Sequence, residues 1–187
     1  MNYRSVRIHP TAHVAPDCSI LGYVEIGPEA TVFSGAALRG DYGNSIVIGA
    51  RSNVQENCVF HVNAGTAAVR VGEGVTVGHG AIVHGCTIGD NTLVGMGSIV
   101  MDNAHVGRDC LIAAGAVVTQ GMEIPDGSLA MGCPARVKRA LTDEEIATLR
   151  KDADEYVEVG RDMVENGVML AGNAIPDDHP TIAVARG

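Results

Sequence analysis

Three of the seven histidines, His61, His79 and His84, lie close together in the middle of the chain. Neutral imidazole is a common ligand of zinc and other transition metals. Three such ligands leave a tetrahedral Zn²⁺ with one open position, where bound water has a pKa of about 7 and can act as a nucleophile. The residue types therefore predict metal-assisted addition of water, provided that the fold brings the three rings together. The other histidines match no motif: His9, His13, His105 and His179.

A six-residue repeat supplies the elements that must position these rings. A large apolar residue recurs every six residues in three runs: Ile8, Val14, Ile20, Ile26, Val32, Leu38; Ile48, Val54, Phe60; and Val71, Val77, Val83, Ile88, Val94, Val100, Val106, Ile112, Val118, Ile124. Four extra residues separate the first two runs, five separate the second from the third, and one residue is missing before Ile88. The fifth position of most repeats is small, as at Ala12, Cys18 and Ala30. A period of six with many β-branched residues excludes heptad helices and predicts short parallel strands in a narrow solenoid.

This pattern resembles the hexapeptide-repeat family, whose members fold as left-handed β-helices with three repeats in each triangular coil. The resemblance covers about residues 8–135 and implies an all-β solenoid, a left-handed parallel β-helix with a C-terminal α-helix. Counted in threes, Leu38, Phe60 and Val83 fall on one face of successive coils. The next residues, Arg39, His61 and His84, should then point outward in one column, since neighbours in a strand face opposite sides. His79 falls on another face, so a neighbouring chain is the better source of a third ligand.

Four segments resemble the gamma-class carbonic anhydrases within this family: Arg39-Gly40-Asp41, Asn53-Val54-Gln55-Glu56-Asn57, His61, and Val77-Gly78-His79-Gly80-Ala81-Ile82-Val83-His84-Gly85-Cys86. The resemblance implies a homotrimer that hydrates CO₂ to bicarbonate, with one metal at each subunit interface. Two histidines of each site come from one chain and the third from the next.

The same resemblance implies roles for residues around the metal. Gln55 lies beside the metal-bound water and Asn53 supports it, and both are candidate catalytic residues. Tyr156 reaches the site from the C-terminal helix, although it also fits that helix's apolar stripe. Arg39 and Asp41 are expected at the subunit interface, which is favoured over the alternative of a simple surface pair. The expected ion is Zn²⁺, with Fe²⁺ or Co²⁺ as alternatives because imidazole suits several metals.

The chain departs from the resemblance in its acidic residues. Well-studied relatives carry proton-shuttling acids on a loop near the site, whereas the insertion after His61 (residues 62–70) contains none. Tyr42 stands where a glutamate would be expected. Glu56 is the better remaining candidate for a shuttle, ahead of Glu73. Slow hydration, or another substrate such as a thioester, therefore stays open.

The pattern changes after Ala135. Thr142 and Glu145 form a predicted capping box, and apolar residues follow at helical spacing, so a helix over 142–165 is expected to pack on the solenoid. Residues 166–187 show no period and are expected to form an irregular tail.

Composition restricts the class of partner. The net charge of −9, without a cluster of lysines or arginines, argues against nucleic acid and anionic membranes. No apolar run is long enough to cross a bilayer. The five cysteines form no paired framework, and the amino terminus lacks a hydrophobic signal, so a cytoplasmic protein is expected.

Two other functional classes remain open. The repeat is equally typical of acyltransferases that use acyl-CoA, with one histidine as general base, and a thioesterase acting on acyl-CoA belongs with them. The other class is a trimeric scaffold in which metal only locks the interface. Fold alone does not choose among these.

Overall fold

The computed structural model describes residues 3–65 and 67–185 and contains a left-handed parallel β-solenoid of about seven coils with one long helix. Each coil contributes one short strand to each of three sheets, which form the three faces of a prism. The predicted β-helix with a C-terminal helix is therefore confirmed. The two terminal residues at each end and Thr66 lie outside the described residues.

The sheets follow the order of the coils along the chain. The seven-stranded sheet contains β1 (Arg7–Ile8), β4 (Val24–Ile26), β7 (Ile46–Ile48), β10 (Val69–Val71), β13 (Thr87–Ile88), β16 (His105–Val106) and β19 (Glu123–Ile124). The six-stranded sheet contains β3 (Ser19–Gly22), β6 (Ala37–Gly40), β9 (Val59–His61), β12 (Ile82–His84), β15 (Ile99–Val100) and β18 (Val117–Val118).

The nine-stranded sheet has seven parallel strands and an antiparallel strand at each edge. The parallel strands are β2 (His13–Val14), β5 (Thr31–Val32), β8 (Asn53–Val54), β11 (Thr76–Val77), β14 (Leu93–Val94), β17 (Leu111–Ile112) and β20 (Ser128–Met131). The antiparallel edge strands are β21 (Arg136–Ala140), which pairs with β20, and β22 (Leu170–Ala171), which pairs with β2.

The interior is a stack of the repeat's large apolar residues. Phe60, Leu38 and Val83 have no exposed surface, and each lies on the third face as predicted. The two insertions leave the prism as corner loops, one between β6 and β7 and one between β9 and β10. Inserted residues at a corner lengthen the loop without moving the next strand to another face. The pairing of strands between successive coils is therefore unchanged.

Helix α1 (Asp143–Glu165) begins at the predicted capping box. The Thr142 side chain accepts a hydrogen bond from the Glu145 amide, and the Glu145 carboxylate accepts one from the Thr142 amide. The helix lies on the outer face of the nine-stranded sheet against β2, β5, β8 and β11. Its buried positions include Leu149 and Gly160. A Cβ atom at Gly160 would lie 2.5 Å from both His13 Nδ1 and Thr31 Oγ1, so only glycine allows this approach.

The segment after α1 is more regular than expected. Residues 166–187 were predicted to be irregular, but β22 adds a strand to the first coil and a 3-10 helix (Gly172–Ala174) follows it. Met169, Ile175 and Ile182 are buried, and Ile182 bridges to Ile20. The first coil has an open sheet edge and apolar surface, and covering both stabilises this segment without any sequence period.

Within the described ranges, no helix combines the length and apolar character needed to cross a bilayer.

Candidate metal centre

His61 and His84 are register partners on adjacent strands. β9 pairs with β12 so that the two Cα positions face each other, and Arg39 is the partner of His61 on the preceding coil. The predicted outward column of three residues is therefore present. The His61 Nδ1 and His84 Nε2 atoms lie 3.0 Å apart, so two ring nitrogens converge on one point outside the solenoid.

Each of these rings also contacts a carboxylate. His61 Nε2 lies 3.1 Å from Asp41 Oδ1, and His84 Nδ1 lies 2.7 Å from Asp102 Oδ1. Arg39 pairs with the same Asp41, whose side chain is buried. An ionised carboxylate only accepts hydrogen bonds, so each aspartate favours a proton on the nitrogen that faces it. The opposite nitrogens, which face each other, are then left with lone pairs.

Two facing lone pairs repel unless a proton or a cation lies between them. A tetrahedral Zn²⁺ with bonds of about 2.0–2.1 Å needs ligand nitrogens about 3.3 Å apart. The observed 3.0 Å is within a few tenths of an ångström of that spacing. Carboxylates bound to the remote nitrogens are the usual support of zinc-binding histidines. The donor set therefore fits two ligands of one transition metal.

The local electrostatics keep His61 neutral. Burial lowers the pKa of His61 below its ordinary value, the nearby Arg39 guanidinium lowers it further, and Asp41 opposes both effects. A neutral imidazole is the form that binds a metal.

His79 lies at a different place on the coil. It follows β11 at the corner where the chain enters the six-stranded sheet, whereas His84 ends β12 on the far side of that face. The two residues are five positions apart, with a turn at residues 79–80 followed by strand β12, so their Cα atoms are separated by a distance on the order of 13 Å. One ion cannot bind both within a single chain. Among the described residues, no group of three or more His, Cys, Asp or Glu side chains could hold a metal.

A polar cluster surrounds His79. Its backbone amide donates to Gln55 Oε1 at 3.2 Å, and Gln55 Nε2 donates to Asn53 Oδ1 at 3.3 Å. Asn53 in turn donates to Thr76 Oγ1 at 2.9 Å. His79 Nδ1 approaches Glu56 Oε2 to 2.6 Å, although within the described chain this oxygen has no well-aligned hydrogen bond. The buried Asn53 and Gln55 thus hold the corner that carries His79.

Tyr156 joins this second cluster from α1. Its ring packs edge-on against Phe33 with centroids 5.7 Å apart, and it lines a cavity of about 630 Å³ together with Gln55 and His79. Tyr156 therefore both packs in the apolar face of α1 and lies next to the predicted site residues Gln55 and His79. Burial raises the pKa of Tyr156, and the Glu56 carboxylate raises it further.

The predicted residues thus form two groups at opposite ends of the strands of the six-stranded sheet. We call Arg39, Asp41, His61 and His84, together with Asp102, which was not predicted, the two-histidine cluster. We call Asn53, Gln55, Glu56, His79 and Tyr156 the one-histidine cluster.

Sequence reasoning missed Asp102. Val100 is the register partner of Val83, so the next residue of the outward column is Met101, and Asp102 lies one position beyond it in the corner turn. The repeat pattern therefore did not point to Asp102. Cys86, which the sequence placed near the ligands, is a poor ligand here: burial raises the pKa of its thiol to about 12, so it stays protonated.

Comparison with known proteins identifies the family. Residues 85–120 match the family model described as bacterial transferase hexapeptide (six repeats). The chain is 41% identical over 150 residues to gamma carbonic anhydrase 1, mitochondrial, of Arabidopsis thaliana, which covers 78% of this chain. The chain spans only 54% of that relative's length.

Two further proteins are similar over most of their own length. The carnitine operon protein CaiE of Escherichia coli is 41% identical over 155 residues, covering 82% of this chain and 78% of CaiE. The crystal structure of a hexapeptide transferase family protein from Anaplasma phagocytophilum superposes with a TM-score of 0.79 at 40% identity, covering 83% of this chain and 91% of that one. This chain therefore belongs to the hexapeptide-repeat family of left-handed β-helix proteins, within its gamma carbonic anhydrase-like group.

Proposed function

We propose that this protein is a metal-dependent, carbonic anhydrase-like lyase that converts CO₂ and water to bicarbonate and a proton. It acts as a homotrimer, with a Zn²⁺ ion between each pair of chains. His61 and His84 of one chain and His79 of the next are the ligands. The similarity to the Arabidopsis gamma carbonic anhydrase supports the reaction.

The observation that carries the proposal is the convergence of His61 Nδ1 and His84 Nε2 at 3.0 Å, at the end of β9 and β12 that is remote from His79. Two ligands are too few for a stable zinc site, and the in-chain distance to His79 is too long. A ring of identical chains resolves this, because the two-histidine cluster of each chain can meet the one-histidine cluster of its neighbour.

The surface between the two clusters suits such a contact. Val59 and Ile82 point outward from the six-stranded sheet and are 43% and 39% exposed. They are register partners on β9 and β12, so they form one continuous apolar strip. Adjacent exposed aliphatic residues beside a polar site favour a protein–protein interface.

The bound ion would supply a hydroxide nucleophile near neutral pH. Gln55 is held by Asn53 at the corner beside His79, where its amide can orient the reacting oxygen by a hydrogen bond. Tyr156 and the apolar wall of the cavity line the same place. Fe²⁺ or Co²⁺ would fit the same imidazole ligands.

The site offers few groups that could carry the released proton to solvent. Glu56 is the nearest acid, but its carboxylate approaches His79 Nδ1 and so supports a ligand. Tyr42, near His61 with ring centroids 6.3 Å apart, is half-exposed and carries no carboxylate. Proton transfer to solvent is therefore expected to limit turnover.

An acyl-CoA transferase or thioesterase is the second candidate, because the Anaplasma relative is described as a hexapeptide transferase. The cavity beside Gln55 is lined by apolar residues, with Asp152 and Glu155 and no lysine or arginine among its described lining. Acidic groups repel the phosphates of CoA, so this cavity favours the hydratase.

The first test measures metal content and CO₂ hydration by stopped flow for the wild type and His84→Ala, with His105→Ala as the matched control. We expect about one metal per chain in the wild type and the control. We expect both metal and hydration to be lost in His84→Ala. Bound metal without hydration would redirect the search to thioesters or to a scaffold locked by metal. A wild type that binds no metal after reconstitution would overturn the site.

The second test asks whether ligands come from two chains. His79→Ala and His84→Ala chains are each expected to lack metal, but co-refolded mixtures should regain about one quarter of the sites by random assembly. A site built within one chain would regain none. Metal content per trimer is the measurement.

A further inference from the structure

We infer that Asp102 is a positioning residue for His84, holding the proton on Nδ1 so that Nε2 faces the metal. This inference rests on the proposed function, in which His84 is a ligand. Neither the motif that contains His84 nor the repeat pattern assigns Asp102 a role.

The contact between the two side chains is direct. Asp102 Oδ1 lies 2.7 Å from His84 Nδ1, a length typical of a hydrogen bond to a charged acceptor. Both side chains are partly shielded, with 18% of Asp102 and 32% of His84 exposed. Because the carboxylate only accepts, a neutral His84 must carry its proton on Nδ1 and leave Nε2 unprotonated. That nitrogen is the one that converges with His61.

The backbone beside His84 is shaped to admit this carboxylate. A Cβ atom at Gly85 would lie 2.3 Å from Asp102 Oδ1 and 2.7 Å from Ala67 Cβ, which is too close for any other residue. Gly85 also has a φ of +52°, in the left-handed region that favours glycine. Its amide donates to the His61 carbonyl, and its carbonyl accepts from Asn103, so Gly85 joins three coils at this point.

In the part of the chain that the structure describes, His84 is the one ion-pair partner of Asp102, and no Lys or Arg side chain competes for this carboxylate. Asp126, at a comparable turn 24 residues later, instead pairs with the Arg108 side chain at 3.1 Å and accepts from the Arg108 amide. The Asp102 charge is thus directed at the imidazole, whereas Asp126 binds the turn of the preceding coil.

The experiment compares wild type, Asp102→Ala, Asp102→Asn and the control Asp126→Ala as full-length proteins. Long-range ¹H–¹⁵N NMR on metal-free protein reads the His84 tautomer, and competition with a chromophoric chelator reads Zn²⁺ affinity. We expect a single Nδ1–H tautomer in the wild type and a mixture in Asp102→Ala, with zinc affinity about 10–100-fold weaker. Asp102→Asn keeps an acceptor oxygen, so its tautomer ratio and zinc affinity should lie closer to those of the wild type. The control Asp126→Ala should have the same tautomer and zinc affinity as the wild type.

Gly85→Ala is a second route to the same effect, since its Cβ displaces the carboxylate while Asp102 remains. It should reproduce the mixed tautomer, provided that circular dichroism shows a folded solenoid. An unchanged tautomer and unchanged zinc affinity in Asp102→Ala would overturn the positioning role. Absence of zinc binding by the wild type would instead overturn the proposed function, and the NMR result would still decide the role of Asp102.

Discussion

His61 and His84 stand side by side on adjacent coils, 23 positions apart in sequence but paired residue to residue across β9 and β12. The separation equals one 18-residue coil plus the five-residue insertion at the corner loop. Because the insertion leaves the prism at a corner, it does not disturb the pairing. A deletion or addition within the strands, by contrast, would turn one ring inward.

A mutation in the apolar strip between the two clusters is expected to weaken association of the chains without unfolding them. Ile82→Asp places a charge at the centre of the proposed interface, while its side chain points away from the core. We expect association to weaken by at least about tenfold, equivalent to about 1.4 kcal/mol. Sedimentation equilibrium measures the change.

Val168→Asp is the control for that experiment, because Val168 is 55% exposed on the segment after α1, away from the six-stranded sheet. Its association should match the wild type. Equal association of Ile82→Asp and wild type would show that this strip is not the interface.

Gly160→Ala tests the fit of α1 on the first two coils. In an exposed helix this change is stabilising by about 1 kcal/mol. Here the new Cβ would meet His13 Nδ1 and Thr31 Oγ1 at 2.5 Å. We therefore expect a loss of about 1–3 kcal/mol of unfolding free energy, measured by urea denaturation. Thr148→Ala, at an exposed position of the same helix, should change little, and a more stable Gly160→Ala protein would contradict the packing.

The segment after α1 should contribute to stability although it has no repeat. Ile182 is fully buried and bridges to Ile20. Ile182→Ala is expected to lose about 2–5 kcal/mol of unfolding free energy. The exposed neighbour Thr181→Ala is the control and should stay within about 0.5 kcal/mol of wild type. A negligible effect of Ile182→Ala would mean that this segment does not cover the first coil in solution.

His13 predicts a pH dependence of stability. Burial lowers its pKa in the folded protein, Arg161 lowers it further, and Glu29 opposes this. The unfolded chain therefore binds more protons, so stability is fully present above pH about 6.5 and is lost as the pH falls toward the lower folded pKa. The unfolding free energy should therefore fall between pH 7.5 and 5.5, as measured by urea denaturation.

His13→Asn should remove that part of the pH dependence, whereas the exposed His9→Asn should keep it. Identical pH profiles for wild type and His13→Asn would contradict the assignment.

The fold could be predicted from the sequence because a six-residue period with β-branched residues has one efficient solution. Each large apolar residue of the repeat, such as Phe60 or Val83, must face the axis of the prism to be buried, and that requirement alone determines the register. The outward column of Arg39, His61 and His84 then follows by counting. The capping box at Thr142 is likewise local, since it depends on residues three positions apart.

Other features were decided by tertiary contacts that no local pattern encodes. β22 pairs with the sheet edge of the first coil, and Ile182 packs on the apolar surface of that coil. That edge and surface are formed by residues more than 150 positions earlier in the chain. Asp102 reaches His84 because Gly85 lacks a side chain and the next coil stacks directly beside it. The sequence by itself determined which residues face in or out, because burial acts on every repeat alike. Only the tertiary structure decided which polar groups meet, because hydrogen bonds depend on tenths of an ångström between segments far apart in the chain.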